Sequence, residues 1–231
     1  MTANPNPETT RFRHFHDQLA TLKQRMLEMS SKAEALIEAS VEALVARDAG
    51  KADAVIEGDH EIDALELEVE QLAISLLALQ QPMARDLRFI IAAIKISSDL
   101  ERVGDHAVNI AQSAQRLAAW GGTFQLQPQI EDMARRARQM LSDALDAFVR
   151  ADGNLGREVC RSDDQVDALH NSVFRVLLTH MMADPRTINP SLEVLLVSRN
   201  LERVADLATN IGEDAVYLAE GKTINHHAET R

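Results

Sequence analysis

Residues 99–111 of the chain read Asp-Leu-Glu-Arg-Val-Gly-Asp-His-Ala-Val-Asn-Ile-Ala, and residues 200–211 read Asn-Leu-Glu-Arg-Val-Ala-Asp-Leu-Ala-Thr-Asn-Ile. In the first stretch, apolar residues recur every three or four positions, and this spacing places them on one face of an α-helix. The second stretch repeats the pattern at an offset of 101 residues. An amphipathic helix that occurs twice predicts an all-α fold built by duplication.

The same apolar spacing runs through the rest of the chain and predicts six long helices, three in each half. A second repeated segment supports the duplication, because Glu-Ile-Asp-Ala-Leu at 61–65 returns as Gln-Val-Asp-Ala-Leu at 165–169, an offset of 104. We therefore predict two tandem, related three-helix bundles of long antiparallel helices. The predicted boundaries are a mobile segment over 1–10, a first repeat over 11–120, a linker over 121–129, a second repeat over 130–220 and a mobile tail over 221–231.

The composition restricts the possible functions. The 231 residues include 36 acidic and 24 basic side chains, and the resulting net charge of −12 argues against binding to nucleic acid. Apolar runs such as 89–94 are far shorter than the roughly 20 residues that span a bilayer, and the polar first ten residues do not resemble a signal peptide. The single cysteine, Cys160, cannot form an internal disulfide. We expect a cytoplasmic protein without membrane insertion.

Four pairs of carboxylates accompany the apolar faces of the second and third helices of each half. The two members of each pair are four residues apart and lie on one helix face, where like charges repel by roughly a few tenths of a kcal/mol. The pairs are Asp59 with Asp63, Glu101 with Asp105, Asp163 with Asp167 and Glu202 with Asp206, and the neighbouring His106, Asn109 and Asn210 are candidates for an outer shell.

Two interpretations of the carboxylate pairs stay open. They form solvated acidic faces, for which Arg102 and Arg203 supply neighbouring positive charge. Alternatively, pairs on facing helices supply four or more oxygen ligands, which suits iron, manganese or magnesium. A redox di-iron bundle is disfavoured, because it requires two Glu-x-x-His motifs and the chain has only Glu57-x-x-His60. The sequence also lacks a Gly-rich phosphate loop and a Ser/His/Asp set, so we expect no enzyme activity.

Longer motifs carry a family resemblance. Gln-Pro-Met-Ala-Arg-Asp-Leu-Arg at 81–88 precedes the 99–111 stretch, and Asp-Pro-Arg-Thr-Ile at 184–188 precedes Arg-Asn-Leu-Glu-Arg-Val-Ala-Asp-Leu-Ala-Thr-Asn-Ile at 199–211. Together these motifs resemble the PhoU family, in its duplicated order, over about 12–221. The resemblance implies a cytoplasmic, non-enzymatic negative regulator of the phosphate-starvation response and of phosphate uptake. Such an adaptor links the phosphate ABC transporter to a sensor histidine kinase.

The resemblance also implies a metal site, since some members of the family hold iron or zinc at Glu/Asp-x-x-x-Asp pairs. It nominates Glu101 and Asp105 in the first repeat and Glu202 and Asp206 in the second. Partners across the helix pair would be Asp59, Asp63, Asp163 and Asp167. The second repeat departs from the family pattern, because Ala205 and Leu207 stand where Gly104 and His106 occur in the first. We therefore expect either that the two sites differ in metal affinity or that the second is empty.

Two other functions compete with the adaptor. A metal-storage or metal-buffering bundle would use the same carboxylates to hold metal stoichiometrically. A metal-free scaffold would use them to attract basic partner surfaces. A homodimer is expected in any of the three cases, because long helices expose broad apolar flanks.

Overall fold

We describe the protein from a computed structural model, which describes residues 7–80, 82–122 and 126–224. The described residues form helices joined by short connections, without a β-strand among them, so the predicted all-α class is confirmed. The helices are α1 (Pro7–Ala46), α2 (Ala49–Gly58), α3 (His60–Gln80), α4 (Ala84–Ala119), α5 (Pro128–Arg150), α6 (Gly153–Ala183) and α7 (Ile188–Glu220), with a 3₁₀ turn at Pro185–Thr187 before α7.

The predicted second helix is divided between α2 and α3 at Asp59. The backbone of Asp59 keeps right-handed helical angles, φ −62° and ψ −34°, so the two pieces differ from one helix only by a local interruption. The six predicted helical rods are therefore present over the described residues. The first repeat consists of α1, α2–α3 and α4, and the second of α5, α6 and α7.

The corner between the first and second helix has the same construction in both repeats. Arg47 and Ala151, 104 residues apart, adopt left-handed backbone angles with φ 52° and 53°. The next residue, Asp48 or Asp152, then caps the following helix, because its carboxylate accepts hydrogen bonds from two backbone N–H groups at 2.9–3.1 Å. In both repeats the turn is thus formed by a non-glycine residue with left-handed backbone angles, followed by an aspartate that caps the next helix.

The apolar faces predicted from the sequence form one continuous core. Leu100, Val103, Ala107 and Ile110 of α4 are fully buried, as are Leu201 and Ile211 of α7. Helix α4 packs against α1 and α3 inside its own repeat and against α7 of the other repeat, while α1 also contacts α5. The two bundles therefore share a central seam made by their third helices.

Parts of the predicted boundaries lie outside the described residues, namely 1–6, 123–125 and 225–231. Helix α1 already begins at Pro7, inside the segment predicted to be mobile, and α5 begins at Pro128, inside the predicted linker. The mobility of the two ends stays a prediction. Over the described residues, no helix combines the length and the apolar character that crossing a membrane requires.

Candidate functional site

The acidic pairs of the first repeat lie on neighbouring helices and approach one another. Asp59 lies at the junction of α2 and α3 and Asp63 in the first turn of α3, and both are close enough to the carboxylates of α4 to interact with them electrostatically. The approach is closest at Gly104, where an added Cβ atom would lie 2.3 Å from Asp59 Oδ1. Any other residue at position 104 would displace that carboxylate, so the glycine makes room for Asp59 beside α4.

We refer to Asp59, Asp63, Glu101 and Asp105 as the first acidic cluster, and two of its members have raised pKa values. Burial raises the pKa of Asp59 to about 6, and the neighbouring carboxylates of Asp63 and Asp105 add to the shift. Burial likewise raises the pKa of Glu101, with further contributions from Asp105, Glu66, Asp63 and Asp59. The cluster concentrates negative charge that is costly without a cation.

Glu66 is a neighbour of this cluster that the sequence analysis did not name. It lies on α3 one turn beyond Asp63, and burial together with Glu70 raises its pKa. The spacing 59, 63, 66 follows one helix face, and this pattern is the signal that could have identified Glu66. The corresponding position in the second repeat is His170, whose Nδ1 lies 3.0 Å from Ser198 Oγ.

Oxygen donors of this kind fit a hard or borderline cation such as iron, manganese or magnesium. As the side chains stand, however, no group of three or more His, Cys, Asp or Glu among the described residues is arranged to hold a metal ion. His60 Nδ1 lies 3.6 Å from Asp63 Oδ2, which makes an ion pair only when the histidine is protonated. The carboxylate oxygens are suitable ligands for such a cation. To bind it together, the carboxylate side chains would have to rotate toward one another.

The acidic pairs of the second repeat have a different environment. Arg203 Nη1 lies 3.0 Å from Asp206 Oδ2, and Arg203 Nε lies 3.9 Å from Glu202 Oε2. Asp163 is buried, with 2% of its surface exposed, and Asp167 is half-buried. The single positive charge of Arg203 offsets part of the negative charge of the pair on α7, so a cation would compete with this arginine.

A single substitution between the repeats explains why the two arginines behave differently. In the first repeat, Arg102 Nη1 pairs with Asp99 at 3.3 Å, one turn toward the N-terminus. The position equivalent to Asp99 in the second repeat is Asn200, which carries no charge. Arg203 turns instead to Asp206. Arg102 therefore pairs with Asp99 and not with the Glu101–Asp105 pair, whereas Arg203 pairs with Asp206 of the Glu202–Asp206 pair.

The three candidates for an outer shell lie along the seam between α4 and α7. His106 Nδ1 is 2.9 Å from Asn200 Oδ1, and Asn200 Nδ2 donates to the backbone oxygen of Leu196, so the histidine nitrogen is assigned as the donor. Burial lowers the pKa of His106, although its bond to Asn200 opposes this. Asn109 and Asn210 line grooves of the same seam. Of the three, His106 connects the repeats through its hydrogen bond to Asn200.

Both repeats match the same family model. A family model described as the PhoU domain matches residues 26–114 and again 130–215, which are the two halves of the duplicated architecture. The chain belongs to the PhoU family. Both matched segments include the third-helix motif and its acidic pair, so the resemblance and the internal repeat rest on the same residues.

Curated relatives agree with this assignment over most of their length. The chain is 42% identical to the phosphate-specific transport system accessory protein PhoU homolog of Caulobacter vibrioides (strain NA1000 / CB15N) over 199 residues, 86% of each protein. It is 38% identical to the homolog of Clostridium acetobutylicum over 212 residues, 91% of this chain and 96% of the relative.

Two crystal structures share the fold. PhoU from Pseudomonas aeruginosa superposes with a TM-score of 0.86 at 35% identity, covering 90% of this chain and all of that one. The phosphate transport system regulatory protein PhoU from Streptococcus pneumoniae gives a TM-score of 0.84 at 29% identity and covers 91% and 99% of the two chains. The tandem three-helix architecture is therefore that of the family.

Proposed function

We propose that the chain is a regulatory accessory protein of a phosphate-specific transport system. In this role it restrains phosphate uptake and the phosphate-starvation response when phosphate is plentiful. The proposal is supported by the names of the relatives, which are accessory or regulatory proteins of phosphate transport and cover most of this chain. It acts in the cytoplasm as a non-enzymatic adaptor between the phosphate ABC transporter and a sensor histidine kinase.

The observation that carries the adaptor role is a pair of exposed apolar surfaces in equivalent places of the two repeats. Each surface surrounds the corner between the second and third helix. Three positions correspond directly: Ile74 with Leu178, Leu87 with Ile188, and Ile91 with Leu192. The first corner face contains Ile74, Leu79, Met83, Leu87 and Ile91, and the second contains Phe174, Leu178, Met182, Ile188 and Leu192, all at least 37% exposed.

Exposed apolar side chains grouped in this way favour contact with another protein. An adaptor needs two such surfaces, and the duplication supplies one in each repeat. A second copy of the chain is an alternative occupant of one face, which is the predicted homodimer. Sedimentation or light scattering of the purified protein distinguishes monomer from dimer, and Ile91→Glu should dissociate a dimer that uses the first corner face.

Deletion of the gene in the source organism tests the regulatory role. We expect phosphate uptake and the expression of phosphate-starvation genes to rise in phosphate-rich medium, and the intact gene should restore repression. Normal repression in the deletion strain would contradict the proposal. A growth defect that follows the supply of metal, with phosphate regulation unchanged, would instead favour the metal-storage or metal-buffering bundle.

We propose in addition that the first acidic cluster binds iron, zinc, manganese or magnesium as part of this regulator. The residues that would hold the metal are Asp59, Asp63, Glu101 and Asp105, with Glu66 beside them. A bound cation would remove the mutual repulsion of these carboxylates and tie α4 to the α2–α3 junction. The prediction that Asp163, Asp167, Glu202 and Asp206 hold a second metal stays open, since Arg203 occupies the pair on α7.

Elemental analysis of the purified, tag-free protein tests the metal site. The double variant Glu101→Ala/Asp105→Ala should lose stoichiometric metal. The matched variant Glu202→Ala/Asp206→Ala should lose less, because its carboxylates are already paired with Arg203. Equal metal content in all three proteins would contradict the assignment. An absence of metal in wild type after exposure to each of the four ions would favour the scaffold that attracts partners with its acidic faces.

A further inference from the structure

A groove along the seam between α4 and α7 carries a concentration of arginine that is unusual for this acidic chain. Its volume is about 480 Å³, within the roughly 300–1,000 Å³ of small-molecule sites. It is lined by Arg102, Arg116, Arg199 and Arg203, together with His106 and Asn200. Of the described residues that line it, none is an aspartate or a glutamate. We refer to it as the arginine groove.

The arginines come from both repeats. Lys95 pairs with Asp214 at 3.5 Å and Arg116 with Glu193 at 2.8 Å, so residue numbers rise along α4 as they fall along α7. The two helices are therefore antiparallel. Arg102 and Arg203, which occupy equivalent positions of the two repeats, line the groove together.

Ion pairs outside the groove hold three of these side chains without using all their donors. Asp99, Asp206 and Glu193 each accept from one arginine, at 3.3, 3.0 and 2.8 Å. A guanidinium group has five N–H donors, so each arginine keeps donors for a ligand. Arg199 is exposed. The acidic partners fix the positions of the guanidinium groups, which reduces the entropy lost when a ligand binds.

Comparison of the two halves of the seam shows that the positive charge is not a by-product of the duplication. Arg116 and Arg199 correspond to Tyr217 and Ser98, and His106 corresponds to Leu207. The seam beyond the Arg102–Arg203 level is lined instead by Asp99, Glu213 and Asp214, with Lys95 as its cation. The duplication gives the two halves of the α4–α7 seam equivalent positions. One half is nevertheless lined by basic residues, and the other mainly by acidic residues.

From these observations we propose that the arginine groove binds a small anion with several phosphate groups, such as a nucleoside triphosphate or inorganic tripolyphosphate. Arginine matches phosphate oxygens by paired, charge-assisted hydrogen bonds, and His106 and Asn200 add polar groups between the arginines. The site does not depend on the adaptor role, and its residues are distinct from those of the two corner faces, although Leu196 of the groove lies one turn of α7 from Leu192 of the second corner face.

The spread of the arginines favours several phosphates over one. Arg102 and Arg116 are fourteen residues apart on α4, which corresponds to about 21 Å along the helix. A single phosphate can contact only the arginines at one level of the groove. A chain of phosphates contacts those at successive levels, and the acidic half of the seam opposes extension of the anion past Arg102 and Arg203.

Isothermal titration calorimetry on the full chain tests the site with three probes: inorganic phosphate, tripolyphosphate and ATP. The protein is kept in chelator, so that a metal at the first acidic cluster cannot bridge to the anion. We expect tripolyphosphate and ATP to bind more tightly than phosphate, with affinities that fall as salt is raised. A difference between tripolyphosphate and ATP identifies whether the groove also contacts the nucleoside.

Arg199→Ala is the decisive variant, because Arg199 is exposed and its removal leaves the ion pairs of the other arginines intact. It should weaken tripolyphosphate binding by about tenfold or more. Arg161→Ala removes the same charge from an exposed position of α6 and should leave binding unchanged. Asp63→Asn, in the first acidic cluster, should also leave it unchanged.

Three results would overturn the proposal. The first is no binding of any probe at millimolar concentration by wild-type protein whose circular dichroism shows it is folded. The second is an equal loss of binding in Arg199→Ala and Arg161→Ala, which would reduce the effect to general electrostatics. The third is binding of an acidic peptide without binding of tripolyphosphate, which would assign the groove to a protein partner.

Discussion

Two buried carboxylates at the edge of the α4–α7 seam destabilise the fold at neutral pH, because burial disfavours their charged form. Asp99 and Asp214 expose only 14% and 16% of their side chains. Burial raises the pKa of Asp99 to about 6, and Asp214 adds to the shift. Burial also raises the pKa of Asp214, against the attraction of Lys95. Lys95 and Arg102 compensate these charges only in part.

The pH dependence of this pair follows from the direction of its shifts. A carboxyl whose folded-state pKa is raised binds its proton more tightly in the folded protein than in the unfolded chain. Its contribution to the free energy of unfolding therefore falls as pH rises from about 4 to about 6 and stays low above that range. The two aspartates weaken the fold at neutral pH and do not weaken it in mild acid.

We predict that Asp214→Asn raises the free energy of unfolding at pH 7.5 by about 1 kcal/mol, equivalent to about 2–4 °C in Tm. The lost contact to Lys95 costs little, because Lys95 is 62% exposed. Thermal unfolding at pH 7.5 and pH 4.5 measures the gain, which should shrink at the lower pH. Asp164→Asn, at an exposed position, is the matched control. A loss of stability that is the same at both pH values would contradict the assignment.

The carboxylate pairs could be found from the sequence, but their separate environments could not. Helical spacing identified Asp59, Asp63, Glu101 and Asp105 as residues of shared faces, and the fold brings these faces together. Glu66 follows the same spacing and was overlooked, whereas Asp99 could not be found from spacing, because its role depends on its burial against α7 and on Asp214. It also could not predict that Arg203 turns to Asp206, which follows from the absence of a charge at Asn200.

At the scale of the helices, the two repeats differ in how closely their second and third helices approach. In the second repeat, a Cβ atom on Gly156 of α6 would lie 2.6 Å from the backbone oxygen of Gly212 on α7. The equivalent residues of the first repeat are Ala52 and Ala111, both buried. Helices α6 and α7 are thus in backbone contact at a point where the first repeat has two buried alanine side chains.

We predict that Gly156→Ala lowers Tm by several degrees. The new methyl group meets backbone, which cannot rotate away, and overpacking of this kind costs about 1–3 kcal/mol. The better helix propensity of alanine, about 1 kcal/mol, recovers part of this cost. Differential scanning calorimetry measures the change. Gly121→Ala, where nothing lies within 4 Å of the new atom, should leave Tm nearly unchanged. A Gly156→Ala protein as stable as wild type would show that the helices can separate without cost.

Helix positions were predictable for a physical reason that does not extend to the corners. The apolar spacing of three and four residues persists over whole helices, so the six rods and their buried faces follow from it. The interruption at Asp59 leaves the spacing intact and therefore gave no signal. Left-handed angles at Arg47 and Ala151 also gave none, because neither position is glycine, the residue that usually marks them.

For the whole molecule, the duplication was predictable but the contact between the repeats was not. The offsets of 101 and 104 residues identify two related units in the sequence alone. Periodicity shows which face of α4 is apolar, but it does not show that α7 packs against it. The arginine groove lies at this contact, so its residues come from distant parts of the chain and do not form a local motif.

The arrangement gives a regulator three candidate surfaces. The first acidic cluster lies at the α2–α3 junction, the arginine groove lies on the α4–α7 seam, and the corner faces surround the helix ends. The first two are neighbours on α4, because Asp105 of the cluster is next to His106 of the groove and acts electrostatically on it. Variants at these two surfaces can therefore influence each other.

Phosphate uptake in phosphate-rich medium by a deletion strain that carries variants of the gene tests whether the corner faces mediate regulation. Wild type should restore repression. The double variant Ile91→Glu/Leu192→Glu, which places a charge on each corner face, should not restore it although the protein is folded and present at normal level. Leu27→Glu/Val45→Glu, at exposed apolar positions of α1, is the matched control and should restore it. Full repression by the corner-face variant would show that regulation does not use the corner faces.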